Sequence, residues 1–409
     1  MYNFFLNINF LDFYKAIIIA FFFSFNFSNT YSNNFDKCLW VKADELNSDE
    51  EIENLISNAY RSEYKIIFLQ IKVHEDYRYN PLIKKNQYSL DFDPLKSALF
   101  WANWYDLEIH IWINVYKIWS STWEPPKNHI FYKLNKFHKD WFAANINGHI
   151  DFNTKFKSSS NDKFESSDND FHGLFLSPLN KEVTNYIKGI VEKLLNDYSN
   201  LGKPLFNGIH LDYLRYKDSM YGYNYVGRKQ FYNDNKIDPI YLNKISNYAA
   251  IDSIDILRYR WNTFKNNKIN ELVKDLYNLL SNYDNLKLSA AVKPDIYEAK
   301  TRWNQNWDYW IRENYIDFVV IMNYFSDTES FSNNLWELYK YFDDRENFNK
   351  IYVGINTIDT SLESNRLRDP ELIKNQINNA IEFSFPAIAI FSSEYFKYDQ
   401  SLYLKIFSE

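Results

Sequence analysis

From residue 38 onward, short apolar runs alternate with amphipathic stretches. The runs predict strands at Leu39–Ala43, Ile66–Val73, Ile109–Tyr116, Gly208–Leu214, Lys287–Val292, Phe318–Tyr324, Ile351–Thr357 and Ala387–Ser392. Between them, segments such as VTNYIKGIVEKLL and ELIKNQINNAIEF repeat apolar residues at helical spacing. Helix starts are marked by Ser48 with Glu51, and by Asp93-Pro94, Ser177-Pro178 and Asp369-Pro370, each pairing a capping side chain with a proline suited to the first turn. Strand–helix alternation calls for parallel strands joined by crossover helices, and eight such units close into a ring. The predicted class is therefore α/β, a single (β/α)8 TIM barrel spanning residues 36–409. The competing architecture, an open doubly wound sheet, announces itself by a glycine-rich phosphate turn after its first strand; here that strand runs into DELNSDEE, which has no glycine.

The connections are uneven. Long loops follow strands three and four, containing WSSTWEPPKNH and SSSNDKFESSDND in the first and KDSMYGYNYVGRKQFYNDNKIDP in the second. In such a barrel these loops belong to the C-terminal face, where they build a cleft.

Composition narrows the function. Hydrophobic residues at 46% and charged residues at 24% exclude a disordered chain, whereas 20% aromatic residues is high. A Phe, Tyr, Asn, Ile and Lys bias of the kind an AT-rich genome produces accounts for part of that excess. Net charge is −7 without a long basic run, so neither nucleic acid nor an anionic membrane surface is an expected partner. The single cysteine, Cys38, excludes an internal disulfide and reads as a structural thiol. No His-x-His follows strand one and the seven histidines form no His-x-x-x-His pair, so no metal and no cofactor are expected. Near the N-terminus, Lys15 precedes the apolar run AIIIAFFFSFNFS, with Thr30 and Ser32 at positions suited to cleavage. Residues 1–32 read as a signal peptide or an N-terminal anchor, and both place the protein in the secreted, periplasmic or envelope compartment.

Polar residues gather at the predicted strand ends. Gln70 and Lys72 share a face of strand two, Asn114 ends strand three on the face that holds His110, and His210 and Asp212 share a face of strand four with Arg215 just beyond. Lys293 ends strand five, and Asn323 with Tyr324 ends strand six. A carboxylate flanked by cations at the mouth of a central strand has what a nucleophile or electrostatic stabiliser needs.

The segments CLWVKADEL, FLQIKVHEDYRYNP, IHIWINVYKIW, GIHLDYLRY, WDYWIRENYIDFVVIMNYF, IYVGIN and AIAIFSS resemble, in order, those of the glycosyl-hydrolase-like 10 family of bacterial secreted barrels, from about Cys38 to Ser393. The resemblance implies a (β/α)8 glycosidase acting on a bacterial polysaccharide, some members being linked to peptidoglycan glycan strands. It places Asp212 at the family's first strand-four aspartate, Asp76 at the acidic residue before its YY pair, and Asn114 at its strand-three asparagine. Tyr213 stands where the family has a second aspartate and Val115 where it has a proline.

Glycoside hydrolysis ordinarily needs one carboxyl group to protonate the leaving oxygen and another to attack or to activate water. Asp212 is the candidate for the second role. Asp76, Asp295, Glu298, Asp359 and Glu394 are candidates for the first, with Glu298 preferred for its aromatic neighbourhood beside TRWNQNW. Trp119, Trp123, Trp141, Trp303 and Trp307 are expected to lie in loops beside the cleft, where indole faces suit sugar rings. The expected substrate-binding set is Lys72, Asp76, Asn114, His210, Arg215, Lys293, Asn323, Tyr324, Trp119, Trp303 and Trp307. A polysaccharide-binding barrel without turnover, and an envelope protein using the barrel as a spacer, stand as the other readings.

Overall fold

Eight parallel strands close into a ring in the computed structural model of the chain: β1 (Asp36–Val41), β2 (Ile66–Gln70), β3 (Glu108–Asn114), β4 (Gly208–Asp212), β5 (Lys287–Val292), β6 (Phe318–Met322), β7 (Ile351–Asn356) and β8 (Ala387–Phe391). Each pairs with its neighbours in sequence, and β1 pairs with β8 at the seam, Asp36 lying opposite Ala387. The (β/α)8 expectation holds, with seven of the eight strands ending earlier than the apolar runs suggested and β5 ending at Val292 as expected. The structure describes residues 35–71, 74, 93–127, 129–150, 154–160, 162–165, 172–242, 251–359 and 366–398, all within the unit Phe35–Glu409. The leader at 1–32, Lys72 and Asp76 lie outside the described residues.

The period of two along each strand produces two cores. Inward residues Cys38, Trp40, Ile66, Phe68, Trp112, Phe318 and Val320 fill the ring, while outward residues such as Leu39, Ile67, Ile111, Ile209 and Ile321 pack against the helices. Cys38 is buried inside, which suits a structural thiol. Burial on both faces explains why these strands read as continuous apolar runs.

Polar residues inside the ring are stacked and paired. Near the bottom, His110 lies 3.4 Å from Glu108, and the Lys287 ammonium meets the same carboxylate at 3.1 Å. The His110 contact, then Lys287, draws Glu108 down to about 2 against the opposing effect of burial. Gly208 faces this cluster, and a Cβ there would sit 2.5 Å from His110 Nδ1. One layer higher, Trp40 Nε1–H donates to His210 Nε2 at 3.1 Å, which makes Nδ1 the protonated nitrogen, 2.9 Å from Ser289 Oγ. Phe68 stacks on the same imidazole with centroids 4.0 Å apart. Burial keeps His210 neutral, its pKa well below the usual value.

Helices cover the outside: α1 (Asp49–Arg61), α2 (Pro94–Trp104), α3 (Lys181–Asp197), α4 (Ile251–Leu280), α5 (Trp307–Arg312), α6 (Thr328–Tyr341), α7 (Pro370–Glu382) and α8 (Tyr395–Tyr398). Three expected caps form: Ser48 Oγ accepts from Glu51 N, Asp93 from Lys96 N and Asp369 from Glu371 N. Ser177-Pro178 is corrected. Ser177 Oγ is taken by the Leu179 amide in a tight turn, and α3 starts three residues later under Asn180, which accepts from Glu182 N at 2.9 Å.

The long connections after β3 and β4 are present, and they contain structure of their own. The first holds a ribbon of Lys117–Trp119 against Leu174–Phe175 and a helix Ile130–Phe137; the second holds helices Tyr225–Asn235 and Pro239–Leu242. Among the described residues no helix is long and apolar enough to cross a membrane.

Candidate active site

Alternation along β4 turns Gly208, His210 and Asp212 inward, and Asp212 ends the strand at the mouth of the ring, in register with Asn114 of β3. The next residue, Tyr213, has φ of +49°, a left-handed conformation costing an aromatic residue on the order of 1 kcal/mol. That turn aims its backbone N–H at Asp212 Oδ1, 2.6 Å away. It also sets the Tyr213 ring beside Phe175 and brings its hydroxyl within 3.3 Å of Lys117 Nζ.

Burial raises the Asp212 pKa above the usual carboxylate value; the Tyr213 amide, Arg215, Lys117 and the Trp112 indole pull the other way without cancelling it. The cations respond to the same crowding. Burial brings Lys117 down to about 8, helped by Arg215, and lowers Lys293 and Arg215 as well. Trp303 braces the group: the Arg215 guanidinium lies 4.3 Å and the Lys293 ammonium 4.9 Å from its ring.

Beside this cluster a cavity of about 550 Å³ opens over the ends of β1, β2 and β3. Its wall includes Lys42, Asp44, Gln70, Asn114, Lys117 and Trp119. Lys42 is held by Glu394 at 2.8 Å, whereas the Asp44 side chain is exposed to the cavity. Asp212 thus stands in a confined, cation-flanked setting at its strand end, and Asp44 in a solvated one on the cavity wall. Among the described residues there is no group of three or more His, Cys, Asp or Glu placed to hold a metal ion.

The structure brings Asp212, Asn114, Arg215, Lys293, Tyr324, Trp119 and Trp303 to this mouth. Tyr324 stacks on Phe391 and its phenol feels the Asp212 charge. Four expectations need correction. His210 is fully buried beneath the mouth, with both ring nitrogens engaged by Trp40 and Ser289. Asn323 points to the helical side of β6 and donates to the Phe331 carbonyl under α6. Trp307 begins α5, is fully buried, stacks on Phe342 and donates to the Lys293 carbonyl at 3.0 Å. Glu298 is half-exposed and bound to Arg302 at 2.8 Å, not the desolvated acid expected of a proton donor.

The other acid candidates also have structural tasks: Asp295 caps the turn that contains Glu298, and Asp359 lies in a short ribbon with Arg366. Trp141 donates to Glu182, and Trp123 is exposed next to Trp119, whose indole donates to the Trp123 carbonyl. Sequence reasoning missed Asp44 and Lys117. Both sit just beyond a predicted strand end, which is the signal that would have found them.

The fold is shared with carbohydrate-active barrels. The glycoside hydrolase domain of PgaB (BpsB) from Bordetella bronchiseptica superposes with a TM-score of 0.62 at 12% identity, covering 91% of this chain and 98% of that one. A β-galactosidase from the psychrophilic Marinomonas ef1 gives 0.57 at 8% identity over 88% of this chain and 54% of that one. The endo-β-1,4-mannanase from Thermotoga petrophila gives 0.51 at 9% identity over 88% and 68%. At these identities the likeness is one of fold. No curated protein matches the sequence. The sequence model of the family Glycosyl hydrolase-like 10 matches residues 132–369, which is more than half of the sequence and includes β4, β5, β6 and β7. The chain thus belongs to the glycosyl hydrolase-like 10 family.

Proposed function

We propose that the protein is a glycoside hydrolase that cleaves O-glycosidic bonds of a bacterial polysaccharide outside the cytoplasm, peptidoglycan glycan strands being one candidate. The observation that carries this reading is the placement of Asp212: a carboxyl with raised pKa, at the C-terminal mouth of a closed parallel barrel, next to a cavity with an exposed second carboxylate. A raised pKa suits the proton donor to the leaving oxygen, a change from the expectation that Asp212 attacks or activates water. Asp44, solvated and on the cavity wall, takes the role of activating water. Asn114, Lys117, Lys293, Arg215 and Tyr324 orient the sugar, and Trp119 offers its indole to a ring face.

A barrel that binds polysaccharide without cleaving it is the second reading, favoured by Tyr213 in place of the family's second aspartate and by the engagement of Glu298 with Arg302. One assay separates the two. Incubation of the chain with purified peptidoglycan and exopolysaccharides should release reducing ends, and Asp212→Asn should abolish release while leaving the fold intact. Binding without release by the wild type would select the second reading.

A further inference from the structure

We infer that the mouth is built for a glycan bearing carboxylate groups, an inference that rests on the reading of this site as a polysaccharide site. Its basis is an imbalance of charge. Lys117, Arg215 and Lys293 converge on one carboxyl, Asp212, and among the described residues none of the three has an ion pair within 4 Å. Two other partly buried cations do have such partners: Lys42 meets Glu394 at 2.8 Å and Arg228 meets Asp238 at 2.7 Å.

The contacts that hold the three cations carry no net charge. Lys117 sits 4.5 Å from the Tyr213 ring, Arg215 and Lys293 share Trp303, and Arg215 donates to the carbonyls of Tyr216 and Lys217. The groups that act on them from neighbouring elements do not restore balance. Lys217 and Arg302 add positive charge, and Asp218 and Glu298, which share Arg302 at 3.0 and 2.8 Å, bring the whole group to five cations against three carboxylates. Holding Asp212 ionised would explain one cation, not three.

Confined like charges are costly unless an anion joins them, and the cost is tolerated where a ligand supplies that anion. The excess is local, since the chain as a whole carries −7. Two lysines at the ends of the strand-three and strand-five segments flank Asp212 from opposite sides in the ring order, so a sugar seated over the Asp212 carboxyl can present a carboxylate to either. A hydrogen bond from a charged donor to that carboxylate is worth roughly 10- to 100-fold in affinity.

The test is calorimetric titration of the full chain with paired oligosaccharides: acidic bacterial glycans, and the same glycans after chemical reduction of their carboxyl groups to alcohols. Inorganic sulfate serves as a free-anion control. The expected result is a preference of at least about tenfold for the acidic members, lost in Lys117→Met and in Lys293→Gln, with melting temperatures confirming that both variants fold. Asp212→Asn, which removes the carboxyl but none of the three cations, should keep the acidic preference and leave reduced members unchanged. Equal binding of acidic and reduced glycans, binding of neutral glycans alone, or sulfate binding as tightly as the acidic sugars would overturn the inference. Reducing-end release is scored separately, so loss of turnover with the acidic preference intact counts against the hydrolase and not against this.

Discussion

Replacing His129 with leucine probes the wall of the cleft. His129 is buried at the start of the helix Ile130–Phe137, where its Nδ1 accepts from Phe131 N at 3.1 Å and its Nε2–H donates to the Ile118 carbonyl at 3.0 Å. It thereby ties that helix to Ile118 and Trp119, and its ring meets the Trp119 indole edge-on at 5.3 Å. Burial, then the neighbouring His74, pulls its pKa to about 3, against a smaller upward pull from the Ile118 carbonyl. At neutral pH the variant loses a helix cap, about 1 kcal/mol, and leaves a buried amide and a buried carbonyl without partners. A loss of about 2–4 kcal/mol is expected.

The wild type should approach the variant as the solution is acidified. The unfolded chain protonates this residue near 6.5 and the folded chain only near 3, so acid favours unfolding at about 1.4 kcal/mol per pH unit across that window. Between pH 7.5 and pH 5 the stability gap should therefore shrink by about 2 kcal/mol, because leucine cannot titrate. Urea unfolding followed by tryptophan fluorescence at the two pH values measures the gap. A gap that stays constant would refute the assigned tautomer and cap. His129→Asn, which retains a capping acceptor but not the Ile118 contact, should recover roughly the cap's share.

Gly208→Ala should cost at least about 3 kcal/mol in denaturant titrations, since its Cβ would meet His110 Nδ1 at 2.5 Å and the Lys287 carbonyl at 2.7 Å inside a closed ring. A change under about 1 kcal/mol would mean the ring relaxes there. Lys117, drawn to about 8 by burial, should acylate faster at pH 8.5 than exposed lysines such as Lys300 when peptides are mapped by mass spectrometry; equal rates would contradict its depressed pKa. Glu298→Gln should leave turnover within about fivefold and stability within about 1 kcal/mol, as its partner is an exposed Arg302. A loss of activity matching that of Asp212→Asn would return Glu298 to the reaction.

The architecture was legible because strands buried on both faces read as uninterrupted apolar runs, and because Ser48, Asp93 and Asp369 cap in ways that spacing reveals. Asp212 was legible by parity, counting by twos from Gly208. Parity ends with the strand. Asn323 follows β6 by one residue and falls outward by the same count as Val319 and Ile321, a parity not applied to it, while Trp307 opens a helix, where counting by twos says nothing. The helix Tyr225–Asn235 escaped notice because it buries only Gly227 and Phe231 and shows no apolar stripe. Trp303 was expected as an aromatic platform, but its contacts with Arg215 and Lys293 depend on residues far apart in the chain, which only the folded ring unites.

The seam between Asp36 and Ala387 joins the two ends of the barrel sequence. A nascent chain lacking its final strand would therefore present two unsatisfied sheet edges, and Trp40 would lose the Phe391 ring that closes over it at 5.9 Å. Closure must wait for the chain through Phe391 to leave the ribosome. Until then the half-made ring is a sticky intermediate, the kind of species whose exposed edges helper proteins shield from aggregation.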